Sequence, residues 1–180
     1  KEKKLPVKWF IIDDMWVEVR NNDDLKTTHD NSLWSFEADP DRFPGGLEPM
    51  IRKLKDEYGI KTGVWHPITG YWTGIDQEGP VAQKYSHLLD KTPSGRLIPP
   101  SDVPRGFMFW NAWHSLLKKQ GVEFVKVDNQ SFIRGFYRNK LPVCTIAKQM
   151  HEALEASTGL NFNNNMINCM GMASENVWHR

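Results

Sequence analysis

An α/β fold on a parallel sheet, and within that class part of a (β/α)8 barrel forming one unit over residues 1–180, is predicted by three observations. Helical patterns that end in glycine alternate with short apolar strands. The connections that follow strands are long, at residues 17–46 and 67–106, while those that follow helices are short. Polar or aromatic chemistry gathers at the C-terminal end of every predicted strand. Long βα-loops and short αβ turns are the asymmetry of a (β/α)8 barrel, whose functional rim is the loop-bearing one. Four strands in 180 residues cannot close such a barrel, which takes about 250 residues. Part of a barrel is therefore expected. An open α/β sheet would show the same alternation.

The elements follow in order. "PVKWFIIDDMW" reads as a strand with no helix before it. "LEPMIRKLKDEYG" places Met50, Ile51, Leu54 and Tyr58 on one helical face, with Gly59 at the position just past the end. "IKTGVWHP" is the second strand. "FMFWNAWHSLLKKQG" puts Trp113, Leu116 and Leu117 on a helix face, with Gly121 beyond it, and "VEFVKVDNQ" is the strand that follows. The third unit is the helix "TIAKQMHEALEASTG", closed by Gly159, and then "LNFNNNMINCM". Trp9, Trp110 and Trp113 fall in strand or helix patterns and are expected in the core. Neither GxGxxG nor a P-loop pattern occurs, which removes the main support for a nucleotide-binding doubly wound sheet.

Composition narrows the function classes. Lys and Arg number 23 against 22 Asp and Glu, so the balance favours neither nucleic acid nor an anionic membrane as partner. No apolar run approaches a membrane span. The basic residues 1–8, read as a solvated edge, precede only a short apolar run that two aspartates end. This is no signal-peptide pattern, and it favours a cytoplasmic location. Two cysteines, Cys144 and Cys169, make no disulfide framework, although one pairing remains open. His29, His87, His114, His151 and His179 lack metal spacing, and neither a metal nor a cofactor is expected. Eight tryptophans suit a flat, weakly polar ligand that stacks on indole faces.

The strand ends carry the chemistry. Asp13 and Asp14 follow "WFII"; Trp65 and His66 follow "KTGV"; Lys126 and Asp128 close "EFVKVD"; Asn168 and Cys169 close "NMIN". Neutral sugars call for carboxylates that accept hydroxyl hydrogen bonds, and for aromatic faces that hold the C–H face of a ring. Retaining glycosidases use one carboxylate as nucleophile and a second carboxyl as acid/base. Lys126 shares a strand face with Asp128 and favours its ionised form. Each motif taken alone also has a plainer reading: an Asp pair caps turns, and Lys-x-Asp forms exposed ion pairs. His66 taken alone is more often a satisfied structural histidine, and Trp72 could equally be core packing. Asn129-Gln130-Ser131 matches a glycosylation sequon, but at this position it reads as accidental.

"KWFIIDDMW", "DRFPGGL", "YGIKTGVWHPITGYWTGI", "TPSGRLIPP", "GVEFVKVDNQ" and "NCMG", in that order, resemble the raffinose synthase and alkaline α-galactosidase (seed-imbibition protein) branch of glycoside hydrolase family 36. The resemblance implies a catalytic (β/α)8 barrel acting on α-galactosides with retention. It implies Asp128 as nucleophile, Asp13 and Asp14 on the hydroxyls of a terminal galactose, and Lys126 on the same sugar. Trp65, His66 and Trp72 would line the pocket, with Cys169 near the ring. The family's acid/base aspartate, in a segment resembling Arg-x-Ser-Asp-Asp, is expected beyond Arg180, so the remainder of the catalytic domain is an expected partner and residues 1–180 alone are expected to be inactive. Met15 stands where many relatives carry Gly. Galactosyl transfer of the raffinose-synthase kind, a non-catalytic carbohydrate-binding piece, and a barrel lyase using Lys126 as a Schiff base are the competing expectations.

Overall fold

The computed structural model describes residues 6–21, 28–138 and 140–178. The basic residues 1–5 and His179 lie outside this set. In order, the elements are β1 (Trp9–Ile12), β2 (Val17–Asn21), β3 (Asn31–Ala38), α1 (Glu48–Tyr58), β4 (Lys61–Pro67), α2 (Pro80–Tyr85), β5 (Asp90–Lys91), β6 (Leu97–Ile98), α3 (Val103–Lys119), β7 (Phe124–Asp128), α4 (Ile133–Phe136), α5 (Val143–Phe162) and β8 (Met166–Asn168). β1, β4, β7 and β8 form one sheet in that spatial order, all parallel. Parallel neighbours place their C-terminal ends on one rim. The long segments after β1 and β4 fold back as two antiparallel pairs, β2–β3 and β5–β6.

Two helix ends follow the sequence pattern and one departs from it. α3 starts at Asp102, whose side chain accepts a 3.1 Å hydrogen bond from the Arg105 amide, with a proline in the first turn. α1 ends at Gly59, which takes the left-handed conformation (φ 63°) that only glycine adopts freely. α5 does not end at Gly159 as its sequence suggests. It continues to Phe162, and Asn163 and Asn164 supply the left-handed stop. Asparagine tolerates that conformation. Gly159 stays helical in a tight spot, where a Cβ would come within 2.9 Å of Asn164 Oδ1.

The pleat of the sheet separates two faces. Val64, His66, Val125 and Val127 face the helices, where Phe109, Trp110, Trp113 and Leu117 complete a buried aromatic layer. Trp9, Ile11, Gly63, Trp65, Phe124, Lys126 and Asp128 share the opposite face, as the register requires. There the absence of a Cβ at Gly63 admits the Phe124 ring, whose atoms would lie 2.4 Å from one. Trp110 and Trp113 are core, but Trp9 is 49% exposed on the face that carries no helix, where it meets Phe124 edge-on. Tyr58, at the last turn of α1, is exposed as well.

Candidate active site

On the C-terminal rim, the chain after β1 makes a tight turn through Asp13, Asp14 and Met15. Met15 sits at φ 69°, a left-handed conformation costly for a side chain of its kind. A glycine there would be unstrained, which accounts for the residue that the family resemblance leads one to expect. The turn holds both aspartates outward. Asp14 accepts from Tyr71 Oη at 2.5 Å on one oxygen and from Trp72 Nε1 at 2.9 Å on the other. Asp13 accepts from the Asp14 amide at 2.9 Å and from Lys126 Nζ at 2.7 Å.

Asp128 closes β7. Its Oδ2 accepts from Trp65 Nε1 at 2.9 Å and its Oδ1 from the Asn129 amide at 2.7 Å. Asn129 adopts the left-handed conformation (φ 58°) that turns this amide back onto the carboxylate. Cys169, after β8, is anchored by its amide on Val127 O at 2.8 Å and hydrogen-bonds Asp128 through its thiol. Burial, then the bond to Asp128 and the charge on it, push that thiol up from its ordinary value, so it stands as a neutral donor. Burial disfavours the Lys126 ammonium, yet the hydrogen bond and charge of Asp13 outweigh it and raise its pKa. Burial and the Asp14 contact likewise raise the Tyr71 phenol.

Six of the predicted residues therefore meet on one rim: Asp13, Asp14, Trp72, Lys126, Asp128 and Cys169. Two others are placed differently. Trp65 is 1% exposed and lies beneath the carboxylates, packed on Tyr71 and Trp72 at 5.7 Å centroid distances, so it holds Asp128 rather than presenting a face to a ligand. His66 points to the helix layer and is fully buried. It stacks on Trp110, packs at a tilt against Trp113 and shares a 3.0 Å hydrogen bond with His114, so it cannot line a pocket on the rim. Strand alternation is the reason, because residue 66 takes the face opposite to residue 65. Burial lowers its pKa to about 4.

Sequence reasoning missed Tyr71 and Gln130. Tyr71 stands in "GYWTG" beside Trp72, where a phenol among apolar neighbours gives no signal until the loop folds onto Asp14. Gln130 Nε2 reaches Val127 O at 3.0 Å and Asn168 Oδ1 at 2.7 Å, tying the exit of β7 to β8. Asn129, the formal sequon asparagine, is buried. Cys144 and Cys169 are both free. Among the described residues, no three His, Cys, Asp or Glu side chains come together as a metal site, and no helix is long and apolar enough to cross a membrane.

The parallel sheet is that of a (β/α)8 barrel, of which this chain forms a part. It overlays an α-galactosidase from Thermus thermophilus, solved in complex with stachyose, with a TM-score of 0.55 at 18% identity, over 90% of this chain and 33% of that one. The family model described as "Raffinose synthase or seed imbibition protein Sip1" matches residues 95–180. Two Arabidopsis thaliana proteins, "Probable galactinol--sucrose galactosyltransferase 6" and "Probable galactinol--sucrose galactosyltransferase 1", are 28% and 30% identical over 92% and 95% of this chain, and over 26% and 28% of their own lengths. Residues 95–180 are thus similar to the raffinose synthase and seed imbibition protein family, and the chain spans about a quarter of the length of these curated relatives.

Proposed function

We propose that this chain supplies part of the active site of a retaining enzyme that acts on α-galactosides, with Asp128 as nucleophile. The observation that carries the reading is the way Asp128 is held. One indole N–H and one backbone amide fix its two oxygens at a strand end, beside the Lys126–Asp13 ion pair and the doubly hydrogen-bonded Asp14. A carboxylate so held can accept a bond to carbon without a change of rotamer.

In the first step an Asp128 oxygen attacks the anomeric carbon while the bond to the leaving oxygen breaks, and a carboxylic acid gives that oxygen its proton. In the second, a water or sugar hydroxyl attacks the same carbon, the acid's conjugate base takes the hydroxyl proton, and Asp128 leaves as carboxylate. The acid/base is assigned to the Arg-x-Ser-Asp-Asp-like segment expected outside residues 1–180. Asp13 and Asp14 accept hydrogen bonds from galactose hydroxyls, Lys126 donates one, and the Trp72 edge borders the ring. Cys169 lies next to Asp128 on the ring side. The names of the two plant relatives favour a sugar acceptor over water in the second step.

The test is the stereochemistry of the first product, followed by proton NMR as the full-length protein turns over an aryl α-galactoside. Retention gives the α-anomer first. Initial formation of the β-anomer would rule out a covalent intermediate on Asp128.

A further inference from the structure

A concavity of about 440 Å³ is lined by Arg20, Ser32, Asp76, Gln77, Glu78 and Arg96. Thr73, the residue after the Trp72 that holds Asp14, also lines it. The Thr73 amide and hydroxyl donate to Asn31 O at 3.1 and 3.0 Å, and Asn31 Nδ2 stands 3.3 Å from Met15 Sδ in the aspartate turn. The Thr73–Asn31 link and the neighbouring Trp72 therefore join the lining of the cavity to the aspartate turn.

The walls of this cavity are polar, prearranged and charge-balanced. Arg20 pairs with Glu78, approaches Asp76 at 3.8 Å and lies over the Trp34 ring at 5.4 Å. The buried Asp76 accepts from Ser32 Oγ at 3.1 Å and from the Glu78 amide at 2.9 Å. Gln77 and Arg96 are exposed residues of its lining. Two guanidinium groups against two carboxylates give no net field to draw an ion. They do give donors and acceptors at many angles, which a ring bearing several hydroxyls can satisfy together. The volume falls in the range of small-ligand sites.

We propose that this cavity is a second carbohydrate subsite, which takes the neutral polyhydroxylated unit on the far side of the bond that Asp128 attacks, with the saccharide crossing the Trp72 edge. The inference rests on the reading of Asp128 as the galactosyl-transferring centre.

Two exposed positions test it in the full-length protein: Arg96→Ala, which removes donors, and Gln77→Trp, which crowds the cavity. Steady-state kinetics are compared for stachyose and for an aryl α-galactoside, whose leaving group lacks the hydroxyls that the cavity would bind. Loss of one or two hydrogen bonds should raise the ratio of the two KM values about fivefold in Arg96→Ala, and further in Gln77→Trp. Unchanged ratios in both variants, with aryl galactoside turnover present, would overturn the subsite and leave the Asp128 reading standing. Absence of turnover on either substrate by the unsubstituted full-length protein would remove the Asp128 reading, and the subsite with it.

Discussion

Trp65 and His66 are consecutive on one strand, and neither reaches solvent, yet they serve different halves of the molecule. The Trp65 indole leaves the sheet toward the rim and donates to Asp128. The His66 ring leaves it toward the helices, against two indoles and His114. Residue type does not decide the difference, since either side chain could serve a sugar site. The two-residue period of the strand does. A motif read as "Trp-His on the rim" thus contains one residue that holds Asp128 and one that packs in the core.

The largest expected effect breaks the rim half. Asp128→Asn in the full-length protein should lower kcat by roughly 10⁴-fold or more, with thermal stability within about 1 kcal/mol of the parent. Retained turnover in that variant would remove Asp128 from the chemistry.

The core half is broken by acid. An unfolded imidazole takes its proton near pH 6.5, while folded His66 stays neutral down to about pH 4. The unfolded state binds more protons in that window, so stability is full above about pH 6.5 and falls as pH drops toward 4. The difference corresponds to a loss on the order of 3 kcal/mol. His114, lowered by burial and then by the nearby His66, adds in the same direction. Denaturant titrations from pH 7 to 4 should show the loss, and His66→Phe should flatten it.

A finer test separates support from contact. Trp65→Phe keeps the packing but removes the donor to Asp128. It should lower kcat about 10- to 100-fold and leave KM for an aryl α-galactoside within about twofold, as for a lost charge-assisted hydrogen bond to a reacting group. A KM that rises instead would make Trp65 a ligand contact. The smallest effect concerns the turn. Met15→Gly relieves a left-handed side chain but adds freedom to the unfolded chain, so a net gain below about 1 kcal/mol is expected from thermal unfolding.

Much of this was legible in the sequence because it depends on local pattern. Apolar runs ending in Asp13, Asp128 or Cys169 place those residues on one rim once the strands are parallel, and glycines at 59 and 121 mark true helix ends. What was not legible depends on which side a residue faces or on a partner far along the chain. Trp9 reads as core because its strand is apolar, but it lies on the face without helices. Gly159 reads as a stop because a glycine past a helical pattern often is one, whereas two asparagines four and five residues on take that role. Tyr71 and Asp14 are 57 positions apart, and no local pattern joins them.

The central claim is that Asp128 forms the covalent bond to the sugar. Incubating the full-length protein with a 2-fluoro-galactosyl fluoride inactivator and mapping the adduct by peptide mass spectrometry tests it most directly. The label is expected on the peptide that contains Asp128, at that side chain. A label on another residue, or steady turnover with no adduct at Asp128, would contradict it.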